Sequence, residues 1–371
     1  MCGSGIRCWP DRWRLCLALF LFATGATAQD STIVQRAFTF GARAHYGFLW
    51  PHRPSAWYLV QGHADAIEVF AERRFRGTGS WERFYNGPGY GFGVMYSGMA
   101  NPDVIGGGLR FIPYLHLPFV RGDRGCFGMR LGWGVGYIFK PFHRTENFKQ
   151  ITTGTRINTA IQLMFEYRID LQRFRLSTGL SIDHWSNGAV KLPNLGSNLI
   201  SLNLGLGYRI NDRSEKVAID TSAFTKRPRE QSVVAAFGIS EVARPLSGQY
   251  SAFSLNAQTQ WQVTPKSSFA AGIDVFNKGS MRTVHPELRD QQRIAHTQFG
   301  VHGGWALGFG RGELLLQMGA YVFTPYPDES PLFHRLGMRY RIGDRWIAHV
   351  GLKSHWAVAD HWEWGFGYRW H

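Results

Sequence analysis

His184 and Ser186 stand two residues apart in the run His184-Trp185-Ser186-Asn187-Gly188, and Pro193-Asn194-Leu195-Gly196-Ser197-Asn198 follows shortly after. On an extended strand, residues two apart point to the same face. An imidazole beside a hydroxyl is the minimal pair for acyl transfer: the ring nitrogen takes the hydroxyl proton while the oxygen attacks an ester carbonyl. The charge that develops on the carbonyl oxygen needs hydrogen-bond donors, and Asn187 together with backbone N–H groups at the turn can supply them. Taken alone the pair is weak evidence, because single histidines and serines at strand ends commonly form nothing more than a polar rim. The other histidines, among them His45, His63, His116, His302, His349 and His355, are scattered without metal-ligand spacing, so neither a metal nor an organic cofactor is expected. Gly106-Gly107-Gly108 and Gly303-Gly304 have the look of phosphate-loop fragments, but no helix follows them, and they read as close-packing or bend glycines in strands.

The elements around the pair alternate with period two. Leu176, Thr178, Leu180 and Ile182 lead into His184 and Ser186 on one face, while Arg175, Ser177, Gly179, Ser181 and Asp183 take the other. Asn198 begins a matching row of Ile200, Leu202, Leu204, Leu206, Tyr208 and Ile210. The final segment is the clearest: Trp362, Trp364, Phe366, Tyr368 and Trp370 fall on one face, opposite His361, Glu363, Gly365, Gly367 and Arg369. Five aromatics on one exposed strand face have no place in water but suit lipid, with small and polar residues turned to a lumen. Sixteen such segments can be counted between residues 35 and 370. The expected fold is all-β, a single transmembrane antiparallel β-barrel of about 14–16 strands. Short connections such as Arg121–Gly125, Leu171–Arg173 and Gly343–Asp344 fit periplasmic turns, and 140–152, 187–196, 278–294 and 324–331 fit outward loops. Two connections fit poorly, 75–87 and 212–231, and the second has room for an extra strand or a plug-like excursion.

The N-terminus carries Arg7, Arg12 and Arg14, an apolar run from Leu15 to Phe22, and Ala26-Thr27-Ala28, the plan of a secretory signal peptide over residues 1–28. The domain organisation expected is thus a signal peptide at 1–28 and one barrel over 29–371. Past the signal no apolar run reaches the roughly 18 residues of a membrane helix. Cys2, Cys8 and Cys16 leave with the signal, so Cys126 remains alone and no internal disulfide can form. The whole chain has a formal net charge of +15; losing three arginines and Asp11 with the signal leaves +13. The basic residues are dispersed through the strands instead of clustered, which points away from nucleic acid and toward anionic lipid headgroups or lipopolysaccharide phosphates.

The faces sharpen the chemistry. His184, Ser186 and Asn198 all continue rows assigned to lipid, at the outward end of two neighbouring strands, whereas Asp183 points to the lumen and is a poor partner for His184. Polar side chains on a lipid face are costly unless they serve something. The segment HWSNGAVKLPNLGSN, within 153–211, resembles the active-site segment of the outer-membrane lipid A 3-O-deacylase (PagL-like) and acyloxyacyl hydrolase family. The resemblance implies an outer-membrane esterase that removes an acyl chain from lipid A, with His184 as general base, Ser186 as nucleophile, Asn187 in the oxyanion hole and basic rim residues such as Lys191 drawing lipid phosphates. Two departures stand out. The family's triad glutamate falls on Asn198, which can orient an imidazole but cannot stabilise its cation by charge. The family type is an eight-stranded barrel with the motif at its last hairpin, and here about 160 residues follow the strand that ends at Ile210. A non-enzymatic outer-membrane barrel, a pore or structural protein with a vestigial motif, is the competing expectation, with a secreted β-sandwich behind it.

Overall fold

In a computed structural model the chain is described over residues 31–35, 38–75, 80–210, 214–218, 224–242, 245–288, 292, 296–325, 330–356 and 358–371. Residues 1–28, the expected signal peptide, lie outside the described residues. All sixteen expected segments are strands, but they close as two barrels of eight, not as one of sixteen. The first barrel runs through β2 (Phe38–Leu49), β3 (His63–Arg74), β4 (Gly89–Ser97), β5 (Gly108–Arg121), β6 (Gly125–Ile138), β7 (Ile157–Leu171), β8 (Phe174–Ser186) and β9 (Ser197–Ile210). It shuts by antiparallel pairing of β2 with β9, from Phe38↔Ile210 to Leu49↔Leu199. The second runs through β11 (Glu230–Glu241), β12 (Gln249–Gln262), β13 (Ser267–Lys278), β14 (Thr297–Phe309), β15 (Gly312–Phe323), β16 (Leu332–Ile342), β17 (Trp346–His355) and β18 (Val358–Trp370). It shuts by pairing β11 with β18.

The two misfit connections have plain explanations. The 75–88 stretch holds a short helix, α1 (Ser80–Phe84). The stretch after β9 holds an extra strand, β10 (Ser214–Ala218), which pairs with β1 (Ser31–Gln35) outside both barrels. The single-barrel expectation fails here, because this stretch is the passage from one closed barrel to the next. Alternation tells a strand which face is which; it does not say which strand closes the ring.

What fills the lumens explains the size. Eight strands leave an interior just wide enough for side chains, and long charged residues occupy it. In the first barrel Arg168 bridges Glu72 and Glu166 at 2.6 Å each, Arg43 reaches Glu166 at 2.8 Å, and Arg130 pairs with Glu68. In the second, Arg335 pairs with Glu363 and Asp274, and His302 meets Asp274 at 2.6 Å. Buried charges persist when paired and hydrogen-bonded in this way. The outer faces are apolar: Leu202 and Leu204 are each 69 % exposed and Phe366 is 68 % exposed. Cys126 is a buried free thiol. No helix among the described residues is long and apolar enough to cross a membrane.

With two barrels, the chain order places the connections β2–β3, β4–β5, β6–β7 and β8–β9 at one end of the first barrel, and that end carries the site. An apolar cap closes its mouth, built from Leu49, Leu59, Met95, Met99, Ile105, Ile138, Trp185 and Leu199.

Candidate active site

Trp185 sets the orientation of its neighbours. Its ring is 1 % exposed and lies inside the barrel, where Gly136 and Gly108 leave room for it: a Cβ on Gly136 would come within 2.5 Å of the indole, and one on Gly108 within 3.0 Å. With Trp185 fixed inward, strand alternation turns His184 outward. Asp183 points inward as expected, paired with Arg110 and accepting from Ser181 Oγ at 2.8 Å and Gln162 Nε2 at 3.0 Å. It is unavailable to His184.

The register places His184 opposite Ile161 on one side and Asn198 on the other, and Ile161 opposite Trp133. An outward row thus crosses four strands as Trp133, Ile161, His184 and Asn198. Within it His184 Nδ1 and Asn198 Oδ1 lie 2.7 Å apart. An amide oxygen can only accept, so Nδ1 carries the proton and Nε2 is left as the basic nitrogen. This is the tautomer a general base requires.

The other end of the Asn198 amide reveals a residue that the motif search missed. Asn198 Nδ2 lies 2.9 Å from Nδ1 of His52, in the turn after β2. Trp50 N–H donates to Asn198 O at 2.8 Å and draws that turn over the site. The amide is held at both ends, which fixes the side on which its oxygen sits. Burial, then the neighbouring Arg53, then His184, lower the pKa of His52 below the ordinary histidine value. His52 is therefore neutral at neutral pH and accepts the Asn198 hydrogen bond. The signal for His52 was hidden because it depends on β2 closing onto β9. In one sixteen-stranded ring those strands would not have been neighbours.

Ser186 ends β8 and is buried at 6 % exposure. Its hydroxyl makes no hydrogen bond to His184; nucleophile–base contacts of this kind often tighten only with substrate bound. Asn187 is committed to the loop. Its N–H donates to Asn194 Oδ1 at 2.9 Å and its Nδ2 to Lys191 O at 2.8 Å. One hydrogen on Nδ2 remains beyond that bond. Asn194, a neutral loop residue in the sequence, proves to cap the turn. Gly196 has φ +77°, and a Cβ there would stand 2.7 Å from His184 Cε1. Only glycine lets the returning chain pass so close to the ring.

Fold and site together define a barrel whose candidate chemistry faces outward, from the last hairpin of an eight-stranded ring. The chain belongs to the lipid A 3-O-deacylase (PagL) and acyloxyacyl hydrolase family: the model for lipid A 3-O-deacylase (PagL) matches residues 65–207, and that for the acyloxyacyl hydrolase C-terminal domain matches 229–371. These domains indicate lipid A deacylation. The two matches divide the chain as the two barrels do, and all four residues of the motif lie in the first. No curated protein matches the chain. Among solved structures it is similar to the KdgM porin, at 9 % identity, 90 % of this chain, 99 % of that one and a TM-score of 0.20. It is also similar to the siderophore receptor PirA from Pseudomonas aeruginosa, at 8 % identity, 91 % of this chain, 62 % of that one and a TM-score of 0.21. The family assignment does not rest on either.

Proposed function

We propose that this protein is an outer-membrane esterase that hydrolyses an acyl chain from lipid A. Ser186 is the nucleophile, His184 the general base, and Asn198 the group that orients the imidazole. Ser186 Oγ attacks the ester carbonyl as His184 Nε2 takes its proton. Collapse of the tetrahedral intermediate expels the sugar hydroxyl, which receives that proton, and water then frees the fatty acid from the serine by the same route. The remaining Nδ2 hydrogen of Asn187 and the N–H groups of the loop are the donors for the oxyanion.

The observation that carries this reading is the 2.7 Å contact between His184 Nδ1 and Asn198 Oδ1, on the outer wall of the barrel that matches the deacylase family. An outward-facing base suits a substrate that arrives through the membrane. The basic chain, with Lys191 on the loop, suits a phosphorylated glycolipid. A pore finds no support in lumens filled by paired charges.

The test is to express wild type and Ser186→Ala in a host with intact lipid A and compare the lipid by mass spectrometry. Wild type is expected to yield a species lighter by one acyl chain, and the variant none. Identical acylation in both would sink the esterase reading.

A further inference from the structure

Trp362 departs from its row. Its companions on the outward face of β18 are exposed, Trp364 by 62 %, Phe366 by 68 %, Tyr368 by 37 % and Trp370 by 44 %, whereas Trp362 is 5 % exposed. What covers it is the first barrel. Its ring lies 5.8 Å from that of Trp133, which belongs to the same outward row as His184, and its Nε1 donates to Asn187 O at 3.0 Å. The loop passes so close that a Cβ on Gly188, whose φ is +63°, would come within 2.0 Å of that nitrogen.

The next two strands round the second barrel, β11 and β12, hold the rest of the loop. Glu241, 4 % exposed at the end of β11, accepts the Leu192 N–H at 2.6 Å, and its own N–H donates to Ala189 O at 2.8 Å. Gln249 Nε2 donates to Val190 O at 2.9 Å. Four hydrogen bonds from the second barrel therefore land on residues 187–192, directly after Ser186. They land where the backbone most needs holding: Ala189 has φ +66°, a left-handed conformation that a non-glycine residue keeps only when its surroundings impose it.

We propose that the second barrel is a positioning element for the site on the first. Glu241 and Trp362 clamp the loop between β8 and β9 so that Ser186 and Asn187 keep their places beside His184. Neither residue touches the reacting atoms, so both are positioning residues. The proposal rests on the esterase reading for its effect on rate, but not for its effect on the loop. It gives the second barrel a task, although the motif lies wholly in the first.

The test uses the full-length protein in vesicles containing lipid A, with heat-dependent gel mobility to confirm that each variant is folded. Glu241→Ala removes the acceptor for Leu192, Glu241→Gln keeps an acceptor oxygen without the charge, and Trp362→Phe removes only the donor to Asn187. Glu241→Ala and Trp362→Phe are each expected to lower kcat about tenfold with KM little changed, and Glu241→Gln to retain most of the activity. In parallel, amide hydrogen exchange over residues 187–196 is expected to quicken in Glu241→Ala and Trp362→Phe but not in Glu241→Gln. Unchanged exchange in both of those variants would overturn the clamp whatever the activity. Equal damage from Glu241→Gln and Glu241→Ala would also overturn it, since a charge would then matter and not a loop hydrogen bond. If the loop loosens as expected while Ser186→Ala stays active, the clamp stands and the choice of nucleophile falls.

Discussion

At the scale of the residue, the site trades charge for connection. A carboxylate in the place of Asn198 would orient His184 and also stabilise its cation; the amide can only orient it. In return the amide is held from behind by His52, giving a neutral chain from His52 through Asn198 to His184. Asn198→Glu is therefore expected to keep or raise the rate of lipid A deacylation, and abolition of activity would mean that Asn198 does not occupy the acid position. One part of the pH dependence follows from His52. Burial first, then Arg53, hold its pKa below the ordinary value of about 6.5, so it stays neutral through the usual histidine range and charges only below it. Once charged, its Nδ1 becomes a donor facing the Asn198 donor, and the chain breaks. Activity should fall on that acid side, where protonation of His184 also removes the base, and His52→Gln, which still accepts but does not titrate, should shift that limb of the kcat–pH profile without abolishing it. Type and spacing drew attention to His184, Ser186 and Asn187, and the family resemblance gave Asn198 its place. His52 and Asn194 were not legible, because a hydrogen bond across a closing seam or within a turn leaves no periodic trace.

At the scale of the element, the strands were read well and their surroundings less so. β8 and β16 span the residues that alternation indicated, 174–186 and 332–342. The start of β3 did not: alternation indicates a strand over 56–74, yet β3 begins at His63, and Pro54–Leu59 forms a 3-10 turn that buries Ala56 and Leu59 in the barrel cap. The β8–β9 hairpin is where local geometry and chemistry meet. Gly196 turns at φ +77° against the His184 ring. Gly196→Ala would impose about 1–2 kcal/mol of backbone strain and push on the imidazole. We expect a folded protein whose kcat falls on the order of a hundredfold, the scale of a misplacement near 1 Å. Near-wild-type kcat would show that the ring tolerates displacement.

At the scale of the whole molecule, the strand count was legible but the number of rings was not. The long connection after β9 was the visible sign, but a gap in alternation does not say whether a chain pauses or closes. Two eight-stranded rings resolve the apparent excess of length over the family type, since the motif still sits at the last hairpin of its own barrel. They also make a clear physical prediction. Ion pairs of Arg168 with Glu72 and Glu166 cross one ring, and those of Arg335 with Glu363 and Asp274 cross the other. The purified protein should give no steady conductance in planar bilayers; discrete open levels would contradict the packed interiors.

The outward row of Trp133, Ile161, His184 and Asn198 has a consequence for how such an enzyme would be measured. A base on the outer wall meets its substrate by lateral diffusion within a leaflet and returns the freed fatty acid to the same leaflet. Its kinetics would be those of a surface: the rate should follow the mole fraction of substrate among the lipids, fall when inert lipid dilutes it, and ignore the volume of water around the vesicles.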